Sequence, residues 1–236
     1  MPELLHGDPG RVLAVYAHPD DPDVSCGGTL ARWARRGAEV HVVICTSGDK
    51  GTTDPDLDPA ALAARRTDEA RRAASVVGVA GQHLLGHPDG ELADDAALRA
   101  ELVALVRRLR PSTVLCPDPT AVFFGEEYFN HRDHRVIGFC TLDALAPAAA
   151  LPHYFPEAGP PHRADTVLLS GTLAPNVWVD ITGTIDDKVA AVSCHRSQFA
   201  DEGDWASEAV RLRAEEEGRQ AGVAFAEGFR RLRLNS

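Results

Sequence analysis

Two short apolar runs, Val12 to Ala17 and Val40 to Cys45, flank a segment in which Leu30, Trp33 and Ala34 recur at helical spacing. Strands that are apolar at every position, rather than at every second one, must be covered on both faces. Gly37 stands where the intervening helix, expected over Gly27 to Arg36, needs a C-terminal cap. A strand, helix, strand unit of this kind leaves little topological freedom, because its crossover is right-handed in nearly all folds. The pattern recurs. Pro59 opens a helix through Val77 that Gly78 ends, Gln82 to Leu85 forms a short strand, Asp94 caps a helix to Arg110 stopped by Pro111, and Thr113 to Cys116 is another strand. Further strands are expected at Thr166 to Leu169 and Val177 to Ile181, at the sheet edge, with helices over Ile185 to Ser197 and Ala206 to Arg231. Such alternation predicts an α/β layer fold with a largely parallel sheet, whose function lies beyond the C-terminal ends of the strands. With 236 residues and no linker or repeat, one domain over residues 1–236 is expected.

Composition excludes several partners. The net charge of −11 argues against nucleic acid or an anionic membrane. Cysteines 26, 45, 116, 140 and 194 form no CxxC pair and are odd in number, which suits a reducing compartment. No apolar run approaches the roughly 20 residues of a membrane span, and the start, MPELLHGDPGRVLAVYA, has no basic leader. A cytoplasmic protein with a small-molecule substrate is the expectation.

Three connections are long: 48–58 (GDKGTTDPDLD), 117–130 (PDPTAVFFGEEYFN) and 151–164 (LPHYFPEAGPPHRA). The first two follow strands and so belong to the active side. The Pro-rich third reads as either a lid or an interface in a homo-oligomer.

Directly after the first strand comes His18-Pro19-Asp20-Asp21, in which Pro19 holds His18 extended at the strand tip. His131-Arg132-Asp133-His134 follows the loop after the fourth strand. Either cluster alone reads as a turn or a solvated helix start, but both leave the same edge of the sheet and can converge. Two imidazoles and a carboxylate supply three ligands to a divalent ion and leave a position for water, the arrangement of catalytic zinc. His18, Asp21 and His134 are the ligand candidates. Asp20 is then the candidate base, His131 a proton donor or oxyanion partner, and Asp133 a carboxylate that holds an imidazole in its tautomer.

These residues resemble the two metal motifs of the PIG-L/LmbE-like de-N-acetylases. The likeness extends through Gly27-Gly28, Thr46-x-Gly48-Asp49-x-Gly51, Arg66-x-x-Glu69, Leu85-Gly86-x-Pro88-Asp89-Gly90 and the Lys188 to Gln198 stretch with His195-Arg196-Ser197-Gln198. The resemblance implies a Rossmann-like three-layer α/β/α fold and a zinc enzyme that removes acetyl from N-acetylglucosamine-type conjugates. It also implies zinc on His18, Asp21 and His134, with Arg66 and Asp89 as sugar contacts. Two positions depart from the family pattern: Pro22 replaces the glutamate that often follows the paired aspartates, and Phe129, with Tyr128 beside it, stands where some members carry tyrosine.

Other readings stay open. The same ligand set makes the facial triad of non-haem Fe2+ enzymes, although β-α alternation argues against their usual barrel. A non-catalytic sugar-binding relative is another, and iron or another divalent ion could replace zinc. A dinucleotide site is disfavoured because the first turn reads HPDDPDVSCGG rather than GxGxxG. Of the first sixty residues ten are acidic and five basic, so an acidic rim around the site is expected to repel strongly anionic substrates.

Overall fold

The computed structural model describes residues 3–126, 128–199 and 205–234, so Glu127 of the 117–130 connection lies outside the described residues. The chain forms β1 (Arg11–Tyr16), α1 (Asp21–Arg35), β2 (Glu39–Thr46), α2 (Pro59–Val77), β3 (Gly81–His87), α3 (Ala96–Leu109) and β4 (Thr113–Pro117). A small hairpin of β5 (Phe123–Phe124) and β6 (Tyr128–Phe129) precedes α4 (Arg132–Asp143). Then follow β7 (Thr166–Ser170), β8 (Val177–Asp180), α5 (Ile185–Val192), the single turn α6 (Arg196–Phe199), α7 (Trp205–Ala221) and β9 (Ala226–Arg233).

Seven strands form one sheet in the order β3-β2-β1-β4-β7-β9-β8. The first five run parallel, and β9 is antiparallel to both of its neighbours. The apolar runs explain the layers. Val12, Ala14 and Tyr16 of β1 join a core with Leu30, Trp33, Ala73 and Ala191, whereas Leu13, Val15 and Ala17 join a second core with Leu102, Val103, Val106 and Ile137. Helices α1, α2, α5 and α7 cover the first face and α3 and α4 the second, which is the three-layer α/β/α arrangement.

Four boundaries differ from the sequence reading. Helix α1 starts at Asp21 rather than at Gly27, because Pro22 suits a first helical turn; non-helical dihedrals at Cys26 divide it. Asp95, not Asp94, caps α3 by accepting from the Leu98 amide at 3.0 Å. The helix expected to reach Ser197 stops at Val192. The largest difference lies at the C-terminus, where one helix was expected through Arg231: α7 ends at Ala221, Gly222 takes φ +75°, and Ala226–Arg233 pairs as β9 between β7 and β8.

Strand order turns around at β1, whose two neighbours continue in opposite directions along the sheet. The crevice beyond the C-terminal ends of β1 and β4 is therefore where ligands bind in open α/β sheets. The 151–164 segment lies elsewhere. Buried Arg107 of α3 gathers it by donating to the carbonyls of Leu151, Tyr154, Phe155 and Gly159 at 2.7–3.1 Å.

Candidate metal centre

His18 leaves the tip of β1, Asp21 sits one turn later at the start of α1, and His134 lies in the first turn of α4 after β4. Each imidazole has one nitrogen committed. His18 Nε2 donates to Asp89 Oδ1 at 3.0 Å. His134 Nδ1 donates to Asn130 Oδ1 at 2.9 Å, and the Asn130 amide is itself oriented by donating to the Ala121 carbonyl at 2.9 Å. These bonds fix both tautomers, so His18 Nδ1 and His134 Nε2 carry lone pairs, and they face each other 3.1 Å apart. Asp21 completes the triangle, with Oδ2 3.3 Å from His18 Nδ1 and Oδ1 3.1 Å from His134 Nε2.

Two lone pairs and a carboxylate brought this close repel one another unless a cation lies between them. A tetrahedral ion with bonds of about 2.0–2.1 Å spaces its ligands about 3.3 Å apart, close to the edges of this triangle. The donor set therefore fits a divalent ion, and His18, Asp21 and His134 are brought together as one group able to hold it. Where no ion lies between them, protons meet the same demand: burial by itself would depress the His18 pKa, yet the carboxylates of Asp21 and Asp89 outweigh it and push it up to about 10, so a cation binds there by displacing a proton. Burial also works against the charged form of His134, and Asp21 again raises it. Asp21 is held well below the usual carboxylate range, since the two histidines overcome its desolvation.

Asp20 is the N-cap residue of α1 and lines the same crevice. Arg66 of α2 anchors it, with Nη2 donating to Asp20 Oδ1 at 2.8 Å and Nη1 to the Gly48 carbonyl at 3.0 Å. Gly48 has φ +65°, and a Cβ there would lie 2.5 Å from the guanidinium, so the loop after β2 needs glycine to cradle Arg66. Arg66 is buried, and both of these bonds run to protein atoms. His131 N-caps α4: its Nδ1 accepts from the Asp133 amide at 3.2 Å, which leaves the proton on Nε2. Burial, with His18 nearby, lowers the His131 pKa. Asp133 is fully buried; its Oδ2 accepts from the Gly90 amide at 2.7 Å and lies 3.8 Å from His18 Nε2, further than Asp89. The carboxylate hydrogen-bonded to the His18 imidazole is thus Asp89, a residue that the resemblance gives as a sugar contact.

Sequence reasoning missed Asn130, although it directly precedes the HxDH motif, and Lys50, which donates to the Asp89 carbonyl at 2.7 Å. Of the two departures, Phe129 points away, being 67% exposed, while Tyr128 lines the crevice. Pro22 is buried in the first turn of α1, and Asp23 beside it pairs with buried His195 at 2.8 Å.

Comparison with known proteins finds deacetylases among the relatives. The diacetylchitobiose deacetylase of Thermococcus kodakarensis is 36% identical over 94% of this chain and 83% of its own length. A 1D-myo-inositol 2-acetamido-2-deoxy-alpha-D-glucopyranoside deacetylase of Saccharopolyspora erythraea is 31% identical over 82% of this chain and 85% of its own. The crystal structure of N,N'-diacetylchitobiose deacetylase from Pyrococcus horikoshii, in complex with an inhibitor, superimposes with a TM-score of 0.87 at 33% identity, covering 96% of this chain and 85% of that one. The 4-carboxy-2-hydroxymuconate hydratase of Pseudomonas putida, at 22% identity and a TM-score of 0.80, shares the fold. The family model described as PIG-L, GlcNAc-PI de-N-acetylase, matches residues 13–145, the span that carries both histidine clusters, and the chain belongs to that family.

Proposed function

We propose that the protein is a metal-dependent hydrolase that removes an N-acetyl group from an N-acetylglucosamine-type sugar conjugate, with His18, Asp21 and His134 as metal ligands. The convergence of two tautomer-fixed lone pairs on one carboxylate, beside an anchored aspartate in an open crevice, carries this reading. Deacetylase relatives that cover most of the chain support it. A divalent ion held there, zinc in our reading, supplies a Lewis acid for the acetyl oxygen and lowers the pKa of its water to about 7.

The chain's own groups do the rest. Arg66 fixes one oxygen of Asp20 and leaves Oδ2 without a hydrogen bond among the described residues, free to take the proton of the attacking water. His131 has its proton on Nε2, so it donates to the developing oxyanion without first changing tautomer. Asp133 fixes that tautomer through its backbone amide. The amine then leaves with the proton that Asp20 collected. Asp89, Lys50 and Gln198 line the same crevice and are polar enough to meet sugar hydroxyls.

The test is acetate release from N-acetylglucosaminides by the metal-loaded Asp20→Asn variant. Loss of a positioned base costs about 10²–10⁴-fold, so turnover is expected to fall by at least about 100-fold at unchanged metal content. Full turnover with metal bound would remove Asp20 from the mechanism. Metal analysis of anaerobically purified protein separates zinc from iron.

A further inference from the structure

The crevice has two arms that meet at the candidate metal ligands. One arm, about 430 Å³, is the polar one, with Asp20, Lys50, Arg66, Asp89 and Gln198 in its walls. The other, about 280 Å³, has Val24, Pro117, Phe124, Gly171 and Arg213 of α7 in its walls. Asp21, Tyr128 and His134 belong to both walls, so the ligand triangle stands at the junction. Beyond Arg213 a smaller cavity of about 150 Å³ continues, sharing Val24, Ser25, Gly171 and Arg213 with the second arm.

An amide cleaved at that junction has two substituents to place. Hydrolysis adds the water oxygen to the acyl carbon and breaks the carbon–nitrogen bond; the amine takes a proton and the acyl group leaves as a carboxylate. If the sugar occupies the polar arm, as the proposed function has it, the acyl substituent points into the other. Acetyl would use little of that arm: one water molecule occupies roughly 30 Å³ in the liquid, and a methyl group leaves most of 280 Å³ unfilled. Where it meets the smaller cavity it also carries a charge with no partner among the described residues. Arg213 makes no hydrogen bond or ion pair with any described residue, whereas Arg66 is held by Asp20 and Gly48, and Lys50 by Asp89 and Glu91. In a chain of net charge −11, a guanidinium with no ion-pair partner among the described residues, in the wall of a substrate arm, favours an anion there.

We propose that this second arm is an acyl subsite for N-acyl groups longer than acetyl that end in a carboxylate, with Arg213 holding that carboxylate. The inference rests on the deacylase reading for the direction in which the amide lies. Val24, Pro117 and Phe124 take the methylenes, each worth about fourfold in affinity when buried. Arg213 takes the terminal oxygens in its planar fork.

The experiment compares N-acetyl-, N-pentanoyl- and N-glutarylglucosamine on the wild type and on Arg213→Gln, a change at an exposed position that leaves the core intact. Calorimetric titration uses chelator-stripped protein, which cannot turn the ligands over, and kcat/KM uses the metal-loaded enzyme. The wild type is expected to bind the glutaryl compound at least tenfold more tightly than the acetyl one and severalfold more tightly than the pentanoyl one. Arg213→Gln is expected to erase the margin over pentanoyl and leave acetyl unchanged. Equal affinity for all three, or a glutaryl margin that survives Arg213→Gln, overturns the subsite. Acyl release without any glutaryl preference overturns the subsite alone; glutaryl-selective binding with no amide cleaved overturns the deacylase reading and leaves the subsite standing.

Discussion

On one side of the first turn of α1, Asp21 meets His18 and His134; on the other, Asp23 meets His195, and Lys188 pairs with Glu227 beneath the kink at Cys26. Both clusters are buried and ionisable, yet they are built to opposite ends. In the second, each charge faces an opposite charge, and the Lys188–Glu227 pair has further hydrogen bonds, whereas His195 Nδ1 has none among the described residues. Lys188 Nζ donates to Glu227 at 2.6 Å and to the Val24 carbonyl at 2.7 Å, and Glu227 also accepts from the Gly28 and Thr29 amides at 3.1 and 2.8 Å. Those amides are the open donors left where the helix restarts after Cys26, so Glu227 of β9 acts as a cap supplied from another element. The first cluster leaves something over: two lone pairs and a carboxylate point at one another, and the nearby acids Asp20, Asp89 and Asp133 outnumber the cations Arg66 and Lys50. A perturbed pKa marks both places. An unfilled demand for positive charge marks only the site.

The largest expected effect tests that demand. Asp21→Ala should reduce metal content to less than a tenth and acetate release by about 10³-fold or more, since the several kcal/mol supplied by a Lewis acid disappear with it. Its melting temperature should fall somewhat below that of chelator-treated wild type, since the His18 amide loses the acceptor it has at 2.7 Å and both histidines lose their counter-charge. Normal metal content in this variant would mean that the triangle is not the centre. Lys188→Met tests the other cluster, because it leaves the Glu227 carboxylate buried without its counter-charge. Breaking a buried pair from one side costs about 3–5 kcal/mol, and at about 2–4 °C per kcal/mol for a chain of this size the melting temperature should drop by roughly 10 °C. Metal per folded molecule should hold. A variant that folds normally but loses its metal would erase the distinction between the clusters.

A smaller effect is expected at the seam between holding a metal and shaping its ligands. Asp89→Ala frees His18 Nε2 and with it the tautomer that presents Nδ1. Partners of ligand histidines are worth about 10–100-fold in metal affinity, so competition against a chelator of known strength should show a loss in that range. A sugar contact with no hold on the imidazole would instead raise KM at unchanged metal affinity.

What the sequence made legible follows from the same physics. Strands β1, β2 and β4 stood out because sheets covered on both faces need unbroken apolar runs, and Val12 to Ala17 has no other reading. The histidine clusters stood out because each follows such a strand. The stretch Ala226 to Arg231 was misread as the end of a helix; Gly222 with its positive φ breaks that helix, and the pairing with β7 and β8 that makes the stretch a strand involves partners far away in the chain. Asp89 and Arg66 were legible as polar residues near the crevice. Their partners within the chain, His18 and Asp20, lie 71 and 46 residues away and become visible only when the strands are in place.

The smallest effect concerns a histidine pair that belongs to neither cluster. On the outer strand β3, His83 Nε2 lies 3.3 Å from His41 Nδ1 of β2, whose other nitrogen meets Glu39 at 3.1 Å, and Arg108 of α3 also faces the pair. Partial burial lowers the His83 pKa, and His41 and Arg108 lower it further. A histidine whose folded pKa lies below the unfolded value of about 6.5 binds more protons when the chain is unfolded. Its contribution is therefore fully present above about pH 6.5 and is lost as pH falls from there through the folded value. Because His83 is partly exposed, solvent screening keeps the contribution within the 0–1 kcal/mol typical of surface charges, or about 1–3 °C in melting temperature. Melting curves of metal-free wild type and His83→Gln at pH 7.5 and 5.0 isolate it, since the titrations of His18, His134 and His195, raised rather than lowered, are common to both proteins and cancel in the difference. His83→Gln should lose less stability than the wild type over that interval; an equal or larger loss would show that the strained charge on this edge of the sheet is not on His83.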